Sequence, residues 1–294
     1  MKREIVRKFL ILSIVLVLIA GFVSLAKSAD IDTVSTSYAT SYPKDRHMVM
    51  ASNGTIAVLY YDGEIRAKKS IDYGDTWTNL AGGAGFTTIE GGGSVGYDFS
   101  ICSDVEDNIY VAYQKDQHIY FKKLIYSASD KTWTPGERKV VEEDYTAGNP
   151  SIIRESGGKI WVAYAYTDSA SIARQVKATF STDEFQSKTE IVVFSEWGIM
   201  GEDYYYPVLV IRNGNPFLIY EDDSDLDFKW SYCTGGSWSS PATIPIGSPD
   251  WLSVDFSVAV VGNDVHVVYK SRSNPIEHTY YNGAWHPAEI VSSW

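Results

Sequence analysis

Five segments of this chain superimpose on one another: "TIAVLYY", "NIYVAYQ", "KIWVAYA", "NPFLIYE" and "DVHVVYK". Their shared tyrosines, Tyr60, Tyr113, Tyr164, Tyr220 and Tyr269, are spaced 53, 51, 56 and 49 residues apart. Each segment follows a turn signal ("SNGT", "VEDN", "ESGG", "RNGN", "VGND") and, before it, another apolar run, so two strands joined by a tight hairpin are expected. A polar loop then leads to a third alternating run such as "IRAKKS" or "IEHTYY". A fourth strand begins at Trp77, Trp133, Trp238 or Trp285, with Phe185 standing in for tryptophan in the third repeat. The second strands are apolar at nearly every position, which fits sheets covered on both faces. A four-stranded antiparallel unit repeated about every 50 residues predicts an all-β fold, a β-propeller of five blades, with a truncated six-bladed propeller as the rival. The repeats span about 46–95, 96–147, 148–203, 204–252 and 253–294. A continuous sandwich does not account for the fixed period.

Residues 1–29 read as a segment apart. Lys2, Arg3, Arg7 and Lys8 precede an apolar run over 9–25, and small residues near 24–29 offer cleavage points, the pattern of a secretory signal peptide. An uncleaved N-terminal anchor is the alternative, since 17 residues reach the lower limit for crossing a bilayer. The expected location is secreted or at the cell surface, with membrane contact only through that segment. Residues 30–45, including "DTVSTSYAT", are expected as an edge segment near the ring closure. The whole chain carries 25 basic and 37 acidic side chains; removing 1–29, with five basic and one acidic residue, leaves 20 and 36, a net −16. Such a surface repels a phosphate backbone, so nucleic acid is excluded as a partner. Cys102 and Cys233 lie in different repeats, inside strand-like runs, and read as buried thiols.

"SIDYGDTW", residues 70–77, carries Ser70, Asp72, Gly74, Thr76 and Trp77 in the pattern Ser-x-Asp-x-Gly-x-Thr-Trp. It resembles the Asp-box, or bacterial neuraminidase repeat, of sialidase-like propellers. Partial matches follow at "SASDKTW" and "STDEF", and reduced ones at "GGSW" and "NGAW". The hairpin joining strands three and four opens on the same face as the one joining strands one and two. The resemblance implies that ligands bind on the opposite face, where inner strands begin. The five residues are therefore expected to be structural: Asp72 accepts N–H bonds across the turn, Gly74 supplies positive φ, and Trp77 packs between blades.

A polar group unique to one blade calls for another explanation than scaffold. At the inner-strand entries stand Asp45, Arg46, Tyr97, Asp98, Asn149, Glu202, Tyr205 and Asp255, joined in nearby loops by Trp197 and Trp251. Asp45, Asp98 and Glu202 are the candidate catalytic carboxyls, because glycoside hydrolysis needs an acid and a second group across the sugar. Arg46, Tyr97, Tyr205, Trp197, Trp251 and Asp255 are the candidate ligand contacts, since flat rings beside polar groups suit sugars. Asp98 and Asp255 share a "DFS" context and could instead be strand-entry caps. Arg46 could instead pair with Asp45 or Asp98. The resemblance implies three arginines clamping a substrate carboxylate, an acid/base aspartate and a tyrosine nucleophile paired with a glutamate. Arg46 matches the first arginine, but the short "YYDGEIRA" loop leaves that triad incomplete. Five blades also resemble arabinanase and β-xylosidase type glycosidases, whose two aspartates and a glutamate would fall on Asp45 and Glu202, with Asn149 where an aspartate is expected. "EDDSDLD" reads first as a solvated acidic loop, with Asp223 and Asp225 as the weaker reading of a Ca²⁺ site; no other cofactor is expected. Three classes remain: a glycan-binding lectin, a glycoside hydrolase, and a non-catalytic interaction scaffold.

Overall fold

The computed structural model describes residues 30–37, 39–40, 46–144, 146–168, 173–197, 205–222, 227–246, 256–271 and 275–292. They form five consecutive antiparallel sheets, a five-bladed β-propeller without helices among the described residues. Blade 1 comprises β1 (Met48–Met50), β2 (Ile56–Tyr61), β3 (Ile65–Ser70) and β4 (Thr87–Glu90). Blade 2 comprises β5 (Val95–Ser103), β6 (Ile109–Lys115), β7 (His118–Ser127) and a fourth strand in two pieces, β8 (Thr132–Pro135) and β9 (Lys139–Glu142), both paired to β7. Blade 3 is β10 (Thr146–Arg154), β11 (Ile160–Asp168), β12 (Ala173–Ser181) and β13 (Thr189–Trp197). Blade 4 is β14 (Tyr205–Arg212), β15 (Asn215–Asp222), β16 (Asp227–Thr234) and the two short pieces β17 (Ser237–Trp238) and β18 (Ala242–Thr243). Blade 5 is β19 (Phe256–Val261), β20 (Asp264–Lys270), β21 (Ile276–Tyr281) and β22 (Glu289–Ser292).

The apolar second strands do what their composition requires. Alternate residues of β6 enter two different cores: Val111 and Tyr113 pack toward blade 1, whereas Tyr110 and Ala112 pack toward blade 3. Further cores join blades 3 to 4 and 4 to 5. The repeated tyrosine marks the backward face of each blade, and in Tyr60, Tyr113, Tyr164 and Tyr269 the hydroxyl bonds a carboxylate. Tyr113 donates to Glu90 at the end of blade 1 (2.7 Å), and Tyr164 to Glu142 at the end of blade 2 (3.0 Å). Lysines of the third strands join the same groups: Lys122 lies 3.0 Å from Glu90, and Lys177 lies 3.2 Å from Glu142. Glu90 is paired with Ile65 and Glu142 with Ile119, beside matching bulges. In blade 3 that register holds Phe194, opposite Val176, and its ring packs 5.7 Å from Tyr220 instead.

In blade 1 the carboxylate comes from the N-terminal segment. Asp32 accepts from Tyr60 and lies 3.3 Å from Lys68, Ser35 bonds Asp62, and the Ala39 carbonyl accepts from Tyr61 N–H (2.8 Å). The described part of 30–40 thus runs along blade 1 and forms no strand, where "DTVSTSYAT" was expected as an edge strand.

The turn at 70–77 is held by its own side chains. Asp72 Oδ1 accepts from Ser70 Oγ (2.7 Å) and Thr76 N (2.9 Å), Oδ2 from Thr76 Oγ1 (2.6 Å), and Gly74 N donates to Ser70 Oγ (2.8 Å). Blade 3 repeats this turn with Ser181, Asp183 and Ser187, and there Phe185 N donates to Ser181 Oγ (2.8 Å). Phe185 is therefore the counterpart of Gly74, not of Trp77, and carries a φ of 61°. Its ring nevertheless enters the core between blades 2 and 3, 5.1 Å from Phe121, which offsets the backbone cost. The Tyr73 hydroxyl lies over Gly54, and Tyr126 bonds Asn53 (3.0 Å), so these turns share the face of the hairpins between first and second strands.

The forward face of blade 5 has no such cover. Ser100 Oγ accepts from Ile152 N of the next blade (3.5 Å) and Ser151 Oγ from Leu209 N (2.9 Å). Ser257, in the same register opposite Val268, is exposed, as are Ala259 and Val261 beside it. Met48 and Met50 of blade 1 are also exposed.

Candidate functional site

On the face opposite these turns, inner strands β5 and β10 begin with bulges. Residues 96–98 stand against the single residue Gln114, and 149–150 against Tyr164. Bulges at a sheet rim re-aim side chains, and these turn Tyr97, Asp98 and Asn149 into a cleft of about 320 Å³. Asn149 adopts a φ of 52°, a region asparagine tolerates, and its Nδ2 donates to the Tyr205 carbonyl (3.0 Å). Gln114 reaches between two glycines: a Cβ on Gly96 would stand 2.7 Å from Gln114 Oε1, and one on Gly148 3.3 Å from Nε2. Gln114 Nε2 donates to the Ala147 carbonyl (3.0 Å), which holds the amide in the cleft wall. Thr146, Thr167 and Tyr206 complete the lining. Tyr97 is half-buried with its ring edge against Tyr61, centroids 6.2 Å apart, and Asp98 is 8% exposed. Among the described lining residues Asp98 is the one carboxylate. The set offers hydrogen bonds and ring faces to a neutral polar ligand, with one acid.

The structure thus brings Tyr97, Asp98 and Asn149 together. Asp45, Glu202, Trp251 and Asp255 lie outside the described residues, as do Asp223 and Asp225, and Trp197 is the last residue of β13, opposite Ala173. Tyr205 is not a surface contact: it is 3% exposed, its ring edge-on to Phe194 and Tyr220 in the core between blades 3 and 4. The backward face of a blade entry is filled by its neighbour, which the sequence alone does not reveal. Arg46 reaches across the axis, donating to the carbonyls of Ile152 (3.5 Å) and Leu209. Its main-chain oxygen also accepts from Ile101 N (3.2 Å). Arg46 is therefore a strut from blade 1 to blades 2, 3 and 4. Below it, toward the turn face, an axial well of about 380 Å³ is lined by Cys102, Ile153, Arg154, Val210 and 258–260. Burial pushes the Cys102 thiol up to about 12, against the pull of Arg46 and Arg154.

Gln114 and Thr167 are not among the sequence candidates, whereas Tyr206 stands in the "GEDYYYP" entry. The position after each repeated tyrosine holds Tyr61, Gln114, Ala165, Glu221 and Lys270. That variation in an otherwise uniform strand, at the end nearest the entries, was the available signal.

No protein-family model matches the sequence, and no curated protein does. Solved structures match the fold. AofleA from Arthrobotrys oligospora has a TM-score of 0.59 at 12% identity, over 85% of this chain and 72% of that one. The α-L-arabinanase of Penicillium chrysogenum complexed with arabinobiose has 0.52 at 12%, over 85% and 82%. Trypanosoma rangeli sialidase has 0.55 at 12%, over 81% of this chain and 46% of that one. At these identities the likeness is one of fold.

Proposed function

We propose that this protein is an exported, sialidase-like Asp-box propeller that binds carbohydrate at the cleft between blades 2 and 3. The observation carrying this reading is the cleft itself, where Gln114, Asn149 and Thr167 offer amide and hydroxyl groups beside the rings of Tyr97 and Tyr206. Amide and hydroxyl groups match sugar hydroxyls as donors and acceptors, and phenol rings match the apolar face of a pyranose. The carbohydrate context of the similar folds, a sialidase, an arabinanase with arabinobiose and a lectin from Aleuria aurantia in complex with Fucα1-6GlcNAc, supports the ligand class. The twice-built Ser-Asp-Ser/Thr turn supports the Asp-box assignment, and residues 1–29 the export. Hydrolysis would fall to Asp98 with Asp45 or Glu202; a single described carboxylate makes binding the primary reading.

A glycan array probed with the parent, Tyr97→Ala and Gln114→Ala, alongside reporter glycosides and Asp98→Asn, tests it. The expected result is glycan signal lost in both substitutions. Turnover abolished by Asp98→Asn would establish a hydrolase. Silence on both would leave the interaction scaffold, a reading favoured by one observation, the uncovered face of blade 5 with Val261 and Val268 66% and 40% exposed.

A further inference from the structure

Three and one positions before the repeated tyrosine, blades 1 to 4 carry Ala57 and Leu59, Tyr110 and Ala112, Trp161 and Ala163, and Phe217 and Ile219, all 2% exposed or less. Blade 5 carries His266 and Val268 there, and Val268 is 40% exposed. His266 is met by His278 from the adjacent strand. His266 Nδ1 and His278 Nε2 are 2.9 Å apart, with the ring planes within 9° of each other. Two parallel imidazoles thus face each other through one hydrogen bond, on a sheet face where Ser257, Ala259 and Val268 are exposed. Glu289 of β22 stands opposite His278 in the register and is exposed.

We infer that His266 and His278 form a two-nitrogen site for a divalent transition-metal ion, of the Cu²⁺ or Ni²⁺ type. Metal–imidazole bonds of about 2.0–2.1 Å place two nitrogens about 2.9 Å apart when they are adjacent ligands in a square plane, and about 3.4 Å apart in a tetrahedron. The separation present, 2.9 Å, is that of the square plane, the geometry Cu²⁺ and Ni²⁺ favour with nitrogen donors. Rotation of each ring about its Cβ–Cγ bond swings both lone pairs off their common line toward one point on the solvent side. The donor ring's proton moves, through water, to that ring's other nitrogen, so both facing nitrogens present lone pairs to the metal. Among the described residues no group of three or more ligand side chains converges, so the site is a two-imidazole one with water completing the coordination. The two histidines belong to β20 and β21, so the ion would staple the central strands of the one blade packed on a single face.

The test titrates the full chain, expressed without a polyhistidine tag, with CuCl₂ under calorimetry and electron paramagnetic resonance. One equivalent should bind, with splitting from two imidazole nitrogens. Affinity should fall at least about tenfold in His266→Gln and in His278→Gln. It should stay unchanged in His286→Gln, whose ring stacks on Tyr280 (4.0 Å) outside the pair. Ni²⁺ should raise the melting temperature of the parent and not of the two variants. Unchanged affinity in both variants, or a wild-type spectrum without imidazole nitrogen, overturns the inference; the spectrum decides even if a variant fails to fold.

Discussion

Replacing Glu90 by glutamine probes how the blades are held together. Glu90 is 7% exposed and takes Tyr113 Oη (2.7 Å), Lys115 Nζ (2.7 Å), Lys122 Nζ (3.0 Å) and Arg138 (3.4 Å) at the junction of blades 1 and 2. Burial pushes its carboxyl up, but the bonds from Lys115, Tyr113 and Lys122 outweigh it and hold the group at about 2, against a usual 4.5. At about 1.36 kcal/mol per pH unit that displacement corresponds to about 3 kcal/mol of stability at neutral pH. Loss of one partner of a buried ion pair costs a similar amount, about 3–5 kcal/mol, because the lysines are left without a counter-charge. The folded-state value is depressed, so the contribution is complete above about 4.5 and is lost as pH falls through about 2. Urea unfolding followed by tryptophan fluorescence should show Glu90→Gln less stable by about 3 kcal/mol at pH 7. The gap should narrow steadily as pH is lowered below 4.5, as the parent acquires the proton the amide mimics. A gap that is absent at pH 7, or that stays constant down to pH 2.5, refutes the reasoning.

Asp72→Ala and Asp183→Ala should each lower the melting temperature while leaving glycan affinity unchanged. Hydroxyl and N–H bonds from Thr76 and Ser70, or from Ser187 and Ser181, hold both carboxyls at about 2, so the destabilisation should fade as pH drops from 3.8 through 2; binding lost without a melting change would contradict the structural role. Arg46→Lys should lower the melting point and spare ligand affinity, because the guanidinium spans to two carbonyls and a single ammonium does not; the reverse outcome on a glycan array would restore the clamp. Neither thiol should react with Ellman's reagent in the native protein at pH 8, since burial raises both Cys102 and Cys233, and both should react in guanidinium; a fast native reaction would show an accessible thiolate.

The sequence by itself determined the repeat, the four-stranded antiparallel blade, the count of five and the face on which the Asp-containing turn lies. These follow from local properties: strand periodicity, turn residues and a recurring tyrosine each act within about 50 residues. Tyr97, Asp98 and Asn149 stand in the sequence at inner-strand entries, but the bulges that turn them into one cleft are seen only in the structure. What only the tertiary structure decided depends on which blade faces which. Tyr205 and Tyr97 look alike in sequence, but one fills the junction with blade 3 and the other opens on the cleft. Arg46 stands among candidate ligand contacts in sequence, yet its reach to Ile152 and Leu209 spans 106 and 163 residues of chain, a relation set by convergence of inner strands on the axis. Asp32 substituting for a fourth-strand carboxylate, and His266 half-buried where its counterparts are buried, have the same origin: the first and last blades share the local sequence rules of the others but not their neighbours.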